Sequence, residues 1–286
     1  MHVTIDIIEK YVKGKNNPNT RKAYRNSLKK FTIFLENNKI TEITQENIHI
    51  IIYDYKAYLN SKNYKPSYIN HNLVILKEFI NEYTELEYNK KLKLEKIIRE
   101  PKYLREPQIK TALKYATDPL DKLMIRLLSN TGLRIQEALK ITKKDLIKDT
   151  DEQENAIVKI IGKNMKKRHI LIQSELKDQL LEYSKDNKIY VFESPVNEYE
   201  PLNNRTIEYR FKKLAQKIDR EEKTTLYSEN LKPHNLRHSF AIRALKTNEI
   251  NYVKEFLGHE NIATIQIYTN LKKEEVIERF KDINLI

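Results

Sequence analysis

Cysteine is absent from all 286 residues. That removes disulfides, thiolate nucleophiles and thiolate metal sites together, and it fits a reducing compartment, so a cytoplasmic location is expected. No stretch approaches the roughly 18 consecutive apolar residues of a membrane-spanning helix, which leaves no membrane partner to look for. The opening residues, MHVTIDIIEKYVKGK, carry acids inside their apolar stretch and lack a small-residue cleavage site, so they do not read as a signal peptide. Glycine is scarce, at 4, beside 8 prolines. With Lys, Glu, Ile and Leu abundant, the composition is that of a mostly helical, soluble chain. There are no internal repeats and no low-complexity tract.

What the chain does have is positive charge. Lys and Arg number 53 against 40 Asp and Glu, a formal charge of +13 spread along the whole sequence. A polyanionic partner fits this balance, nucleic acid first, although charge of this size also simply keeps proteins dissolved.

The length accommodates two domains. From Asn19 to Glu36 the apolar residues Ala23, Tyr24, Leu28, Phe31, Phe34 and Leu35 recur at helical spacing, with Lys and Arg on the other face. A second such helix is expected over Gln45 to Asn60, and a third from Pro66 through Ile80, with proline in its favoured first turn. Helices without strand alternation define an N-terminal domain over residues 1–95. Pro101 and Pro107, amid charge, mark residues 96–107 as a linker. The second domain, 108–286, is mixed. Helices are expected over Glu106 to Thr117, over Pro119 to Asn130, and again after Gly132. Two β-branched runs, Ala156 to Ile161 and His169 to Ile172, flank a basic glycine-containing turn and read as a hairpin. KIYVF near residue 190 reads as a third strand.

Several residues could carry chemistry. His234 and Arg237 stand three apart on a helix begun near Pro233, where they share a face. A proton acceptor beside a permanent cation suits an anionic reaction centre; helix capping and a surface ion pair would account for the same residues. Arg134 precedes Glu137 by three, so the carboxylate can hold a guanidinium that grips phosphate, or the two can form an exposed ion pair. Lys163, after Gly162 in the hairpin turn, is a mobile donor or a solvated turn lysine. Gly258 is a natural helix stop, leaving His259 at a junction nine residues before Tyr268. A tyrosine hydroxyl, with a pKa of about 10, needs cations and a proton acceptor to become a nucleophile.

Taken in order, TGLRIQEAL, GKNMKKRHILI, PHNLRHSFA and LGHENIATIQIYT resemble the motifs of the tyrosine site-specific recombinases, the phage integrase family. Upstream, NTRKAYRNSLKKFTIFL and KPSYINHNLVILKEFI look like that family's helical core-binding domain, and the length is similar to that of simple Xer-type members. The resemblance implies a mainly α, two-domain tyrosine recombinase fold: an N-terminal helical, SAM-like core-binding domain and an α+β catalytic domain with a small antiparallel sheet. It matches Arg134 to the first catalytic arginine, Glu137 to the acid supporting it, Lys163 to the hairpin lysine, His234 and Arg237 to the His-x-x-Arg pair, His259 to the second histidine position and Tyr268 to the nucleophile. The family's glycine pair around the hairpin lysine is reduced here to GKN, which leaves Lys166 as the alternative to Lys163.

The implied activity is cleavage and rejoining of DNA through a 3′-phosphotyrosine and a Holliday junction, as in Xer-like resolution or mobile-element integration and excision. It needs no metal, nucleotide or other cofactor, in keeping with a sequence that has no phosphate-binding loop and no ligand set for a metal. The implied partners are double-stranded DNA and further copies of the chain, four protomers on two sites. The apolar side of the last helix, Val276, Ile277, Phe280 and Ile283, could seat on a neighbouring protomer or on its own domain. Two rivals stand beside this reading: a type IB topoisomerase-like nicking-closing enzyme, and a non-catalytic site-specific DNA-binding protein.

Overall fold

The computed structural model describes residues 3–95, 102–162, 167–247 and 249–258, and the chain divides into two compact units, Met1–Ile98 and Arg99–Ile286. The first unit holds helices α1 (Ile5–Lys13), α2 (Pro18–Asn37), α3 (Ile48–Ser61) and α4 (Pro66–Tyr83). Helix starts are written into the sequence. The Asn17 side chain accepts from the amides of Asn19 and Thr20, with Pro18 supplying a pre-set φ next to it. Pro66 opens α4 in the same way. The apolar stripe expected on α2 is buried through Leu28, Phe31, Phe34 and Leu35. It meets Ile51, Ile52, Tyr55 and Leu59 of α3 and Leu73, Leu76, Phe79 and Ile80 of α4 in one core. Aromatic edges lock that core, with Phe31 and Tyr55 T-shaped at 5.0 Å between ring centres. Helix α1 was not expected from periodicity. It is short, and its capping by the Thr4 hydroxyl and the burial of Ile8, Tyr11 and Val12 hold it in place.

The described part of the second unit runs α5 (Glu106–Tyr115), α6 (Pro119–Thr131), α7 (Ile135–Leu139), α8 (Lys143–Ile147), β1 (Ala156–Ile161), β2 (Lys167–Ile172), α9 (Ser174–Tyr183), α10 (Asn204–Glu221), α11 (Leu226–Asn230), α12 (Pro233–Ala244) and α13 (Ile250–Leu257). Leu104 is already in this unit's core, and its amide donates to the Ser239 hydroxyl at 2.9 Å. Pro107 is the second residue of α5. Helix α6 buries a wide apolar face, with Leu123, Met124, Ile125, Leu127 and Leu128 all inside. It is therefore the axle of the unit, packing on α5, α9, α10, α12 and β2.

The expected hairpin is present. β1 and β2 pair antiparallel from Ala156 opposite Ile172 to Ile161 opposite Lys167. Ala156, Val158, Ile160, Ile170 and Ile172 are buried, as strand alternation requires. The third strand is not formed among the described residues: Tyr190 makes a single bridge to Thr142. The reason is local. The Glu193 carboxylate accepts from the amides of Lys188, Ile189 and Tyr190, occupying donors that a longer strand pairing would need, so the pairing stops at the two bonds of that bridge, Val191 N–H to the Ile141 carbonyl and Lys143 N–H to the Ile189 carbonyl, both 3.0 Å.

Candidate active site

Helix α6 ends at Gly132, which takes the left-handed conformation (φ 62°) that a side chain would resist. A Cβ there would also run into the Phe240 ring and lie 2.9 Å from Leu257 Cδ2. The chain turns at once into α7, with Arg134 at its N-cap. Glu137 accepts the Arg134 amide at 2.8 Å and the Arg134 Nη1 at 3.0 Å, so one carboxylate fixes both the backbone and the guanidinium of the same residue. This is not the exposed ion pair that the spacing also allowed. The Glu137 side chain is only 9% exposed, whereas that of Arg134 is 41% exposed.

Glu137 has a second partner that sequence reading missed. Arg168 of β2 donates to both carboxylate oxygens, at 3.1 and 2.7 Å, and its Nε donates to the Phe256 carbonyl at 3.0 Å. Burial alone would raise the Glu137 carboxyl, yet the Arg168 hydrogen bonds, the Arg134 amide and the two positive charges outweigh it and hold the group below its usual value. The signal for Arg168 was in the strand pattern. It alternates in step with Ile170 and Ile172, so it faces the core, where an arginine must have a partner.

Proline at the first position opens α12 and sets His234 and Arg237 one turn apart. Arg237 is 2% exposed. Its Nη1 donates to the carbonyl of Gly132 and its Nη2 to that of Leu257 at 2.6 Å, so it ties the ends of α6 and α13 together. These contacts replace the surface ion pair that the sequence left open. Helix α13 ends at Gly258 in the left-handed conformation (φ 60°), as expected of a helix stop. His234 packs edge-on against His238, with ring centres 4.2 Å apart. Burial, then the charges of Arg237 and Arg134, push its pKa below the usual imidazole value, so it is neutral near pH 7 and able to accept a proton.

Arg134, His234 and Arg237 line one open cleft of about 230 Å³, together with Leu133, Ile135, Gln136, Pro233 and Asn204. Two guanidiniums line this cleft, and a third, that of Arg168, is joined to Arg134 behind it through Glu137, so the cleft is set for an anion. Rigid, oriented donors beside a neutral imidazole can stabilise charge on a phosphate while a proton leaves an attacking hydroxyl. Of the residues singled out from sequence, Arg134, Glu137, His234 and Arg237 come together here. Lys163 with its alternative Lys166, His259, Tyr268 and the last helix lie outside the described residues.

The model of the family described as "Phage integrase family" matches residues 102–275. Tyrosine recombinase XerA of Thermococcus kodakarensis is 30% identical over 234 residues, 78% of either chain. Tyrosine recombinase XerC of Lacticaseibacillus casei is 28% identical over 288 residues, covering 91% of this chain and 90% of its own. In three dimensions the chain is similar to the site-specific recombinase XerH solved with its difH substrate after cleavage, with a TM-score of 0.73 at 20% identity over 96% of this chain and 84% of that one. A family match over most of the chain and relatives matched over most of their length lead to one identification: the chain belongs to the phage integrase family, the tyrosine recombinases.

Proposed function

We propose that the chain is a site-specific recombinase that cuts and rejoins double-stranded DNA through a 3′-phosphotyrosine on Tyr268. The convergence of Arg134, His234 and Arg237 on one cleft carries this reading. A DNA phosphodiester resists attack because its oxygens repel the nucleophile and its leaving alkoxide is poor. Arg134 and Arg237 meet the first problem by neutralising the non-bridging oxygens, with His259 adding a hydrogen bond. His234, neutral at working pH, accepts the Tyr268 proton. Lys163 protonates the departing 5′-oxygen. The phosphotyrosine keeps the energy of the broken bond, so a 5′-hydroxyl of another strand can reverse the step without an energy source.

In this reading residues 1–95 form the DNA core-binding domain, 96–107 the linker and 108–286 the catalytic domain. The basic face of α2, with Lys22, Lys29 and Lys30, supplies phosphate contacts, so affinity falls steeply with salt. Four protomers assemble on two sites in the cytoplasm, as Xer-like resolution or integration and excision require.

The test begins with selection of a bound site from random duplexes. Nicked duplexes carrying that site trap cleavage, and denaturing electrophoresis reads the covalent adduct. Wild type should form it and Tyr268→Phe should not. Adduct from the Phe variant would assign the nucleophile wrongly. Resealing within one duplex with no exchange between two would favour the topoisomerase-like rival, and binding without adduct the non-catalytic one.

A further inference from the structure

Arg168 occupies a position that packing alone does not account for. Ile160 stands opposite it across the hairpin, and its neighbours on the same face, Ile170 and Ile172, are core residues. A guanidinium in such a place costs desolvation unless its nitrogens find partners, and here each of the three does. Nη1 and Nη2 hold the two oxygens of Glu137, while Nε holds the Phe256 carbonyl. Room for it is made by Gly258: a Cβ there would sit 3.2 Å from both Arg168 Cδ and Nη1. One planar group thus joins three elements. It links the hairpin, the carboxylate that fixes Arg134, and the last turn of the helix from which the chain departs toward His259 and Tyr268.

We propose that Arg168 is a positioning residue for cleavage: by setting the Glu137 carboxylate against the end of α13 it aims Arg134 at the scissile phosphate. Arg168 itself does not line the cleft, so its effect passes through Glu137. This rests on the reading of Arg134 as a phosphate-neutralising group. Lysine cannot substitute. An ammonium is a single point of charge and cannot span two carboxylate oxygens and a carbonyl in one plane.

The experiment compares single-turnover cleavage of two nicked duplexes, one with the ordinary phosphodiester at the scissile position and one with a methylphosphonate, which lacks the negative charge that Arg134 offsets. Wild type, Arg168→Lys, Arg168→Met and Arg134→Ala are compared, with DNA affinity and the thermal unfolding midpoint measured for each. Arg168→Lys should bind DNA within about three-fold of wild type, cut the phosphodiester about ten-fold or more slowly, and show a methylphosphonate-to-phosphodiester rate ratio about ten-fold above wild type, as Arg134→Ala should too. Should Arg168→Met fail to fold, the lysine variant still decides. Equal slowing on both duplexes would reveal a merely structural arginine, and no slowing would remove Arg168 from the mechanism. A raised ratio in Arg134→Ala but not in Arg168→Lys overturns the role of Arg168 alone. If Arg134→Ala shows no raised ratio, the reading of Arg134 falls, and the proposal falls with it.

Discussion

Arg237, on α12, donates to the backbone carbonyl of Leu257 at 2.6 Å, twenty residues along the chain and immediately before the glycine that ends α13. The same guanidinium holds Gly132 at the end of α6. A residue that lines the anion cleft therefore also sets where the chain leaves for Tyr268. Arg237→Lys keeps the charge but cannot reach both carbonyls in one plane. Cleavage of nicked duplex should fall about a hundred-fold or more, with DNA affinity changed only a few-fold. Single-turnover rates and a binding titration check this, and an unchanged rate would remove Arg237 from the phosphate clamp.

Glu137→Gln should destabilise the fold by about 3 kcal/mol at neutral pH, because it leaves the buried Arg168 without its counter-charge. The carboxyl lies below its ordinary 4.5 in the folded protein. Its contribution is therefore complete above that value and is lost as pH falls through the lower, folded value. Urea unfolding of both proteins at pH 7 and near pH 3 should show the gap narrowing in acid. A gap that is constant or wider in acid would contradict the depressed carboxyl.

His234 should titrate below 6.5 in the folded protein, since burial and then Arg237 and Arg134 oppose its protonated form. Below pH 6.5 the unfolded chain takes up this proton more readily than the fold, so stability and the supply of neutral base both decline as pH falls from there. NMR titration of the imidazole should give a midpoint under 6.5 that moves upward in Arg134→Ala. A midpoint at or above 6.5 in the wild type would refute the electrostatic picture of the cleft.

Gly132→Ala forces a side chain into a left-handed backbone (φ 62°) and against Phe240 and Leu257. The cost should be about 1 to 3 kcal/mol, read as a lower midpoint in urea with an unchanged slope. A variant as stable as wild type would show that α12 and α13 can give way, and that the junction before Arg134 is not fixed.

Most of the secondary structure was legible where periodicity, prolines and glycines agreed. Pro66, Pro119 and Pro233 each open a helix, and Gly132 and Gly258 each close one. Long-range compensation was not legible. KIYVF has the composition of a strand, but the Glu193 carboxylate captures its amides, a contact set by loop geometry. Helix α1 was missed although Ile8, Tyr11 and Val12 stand at clear helical spacing, so its signal was there to be read; its burial on α2 and α4 was not. At the site, motif order pointed to Arg134, Glu137, His234 and Arg237. Arg168 escaped because its partners, Glu137 and the Phe256 carbonyl, are distant in the chain, although its core-facing register was there to be read.

In the proposed reaction a tyrosine oxygen of this chain becomes joined to DNA, and that tyrosine is Tyr268. The most direct measurement traps the adduct on a nicked duplex, digests protein and DNA, and sequences the nucleotide-bearing peptide by mass spectrometry. Wild type should give a single phosphotyrosyl peptide containing Tyr268, absent from Tyr268→Phe. A nucleotide on any other tyrosine, or an adduct that persists in that variant, would contradict it.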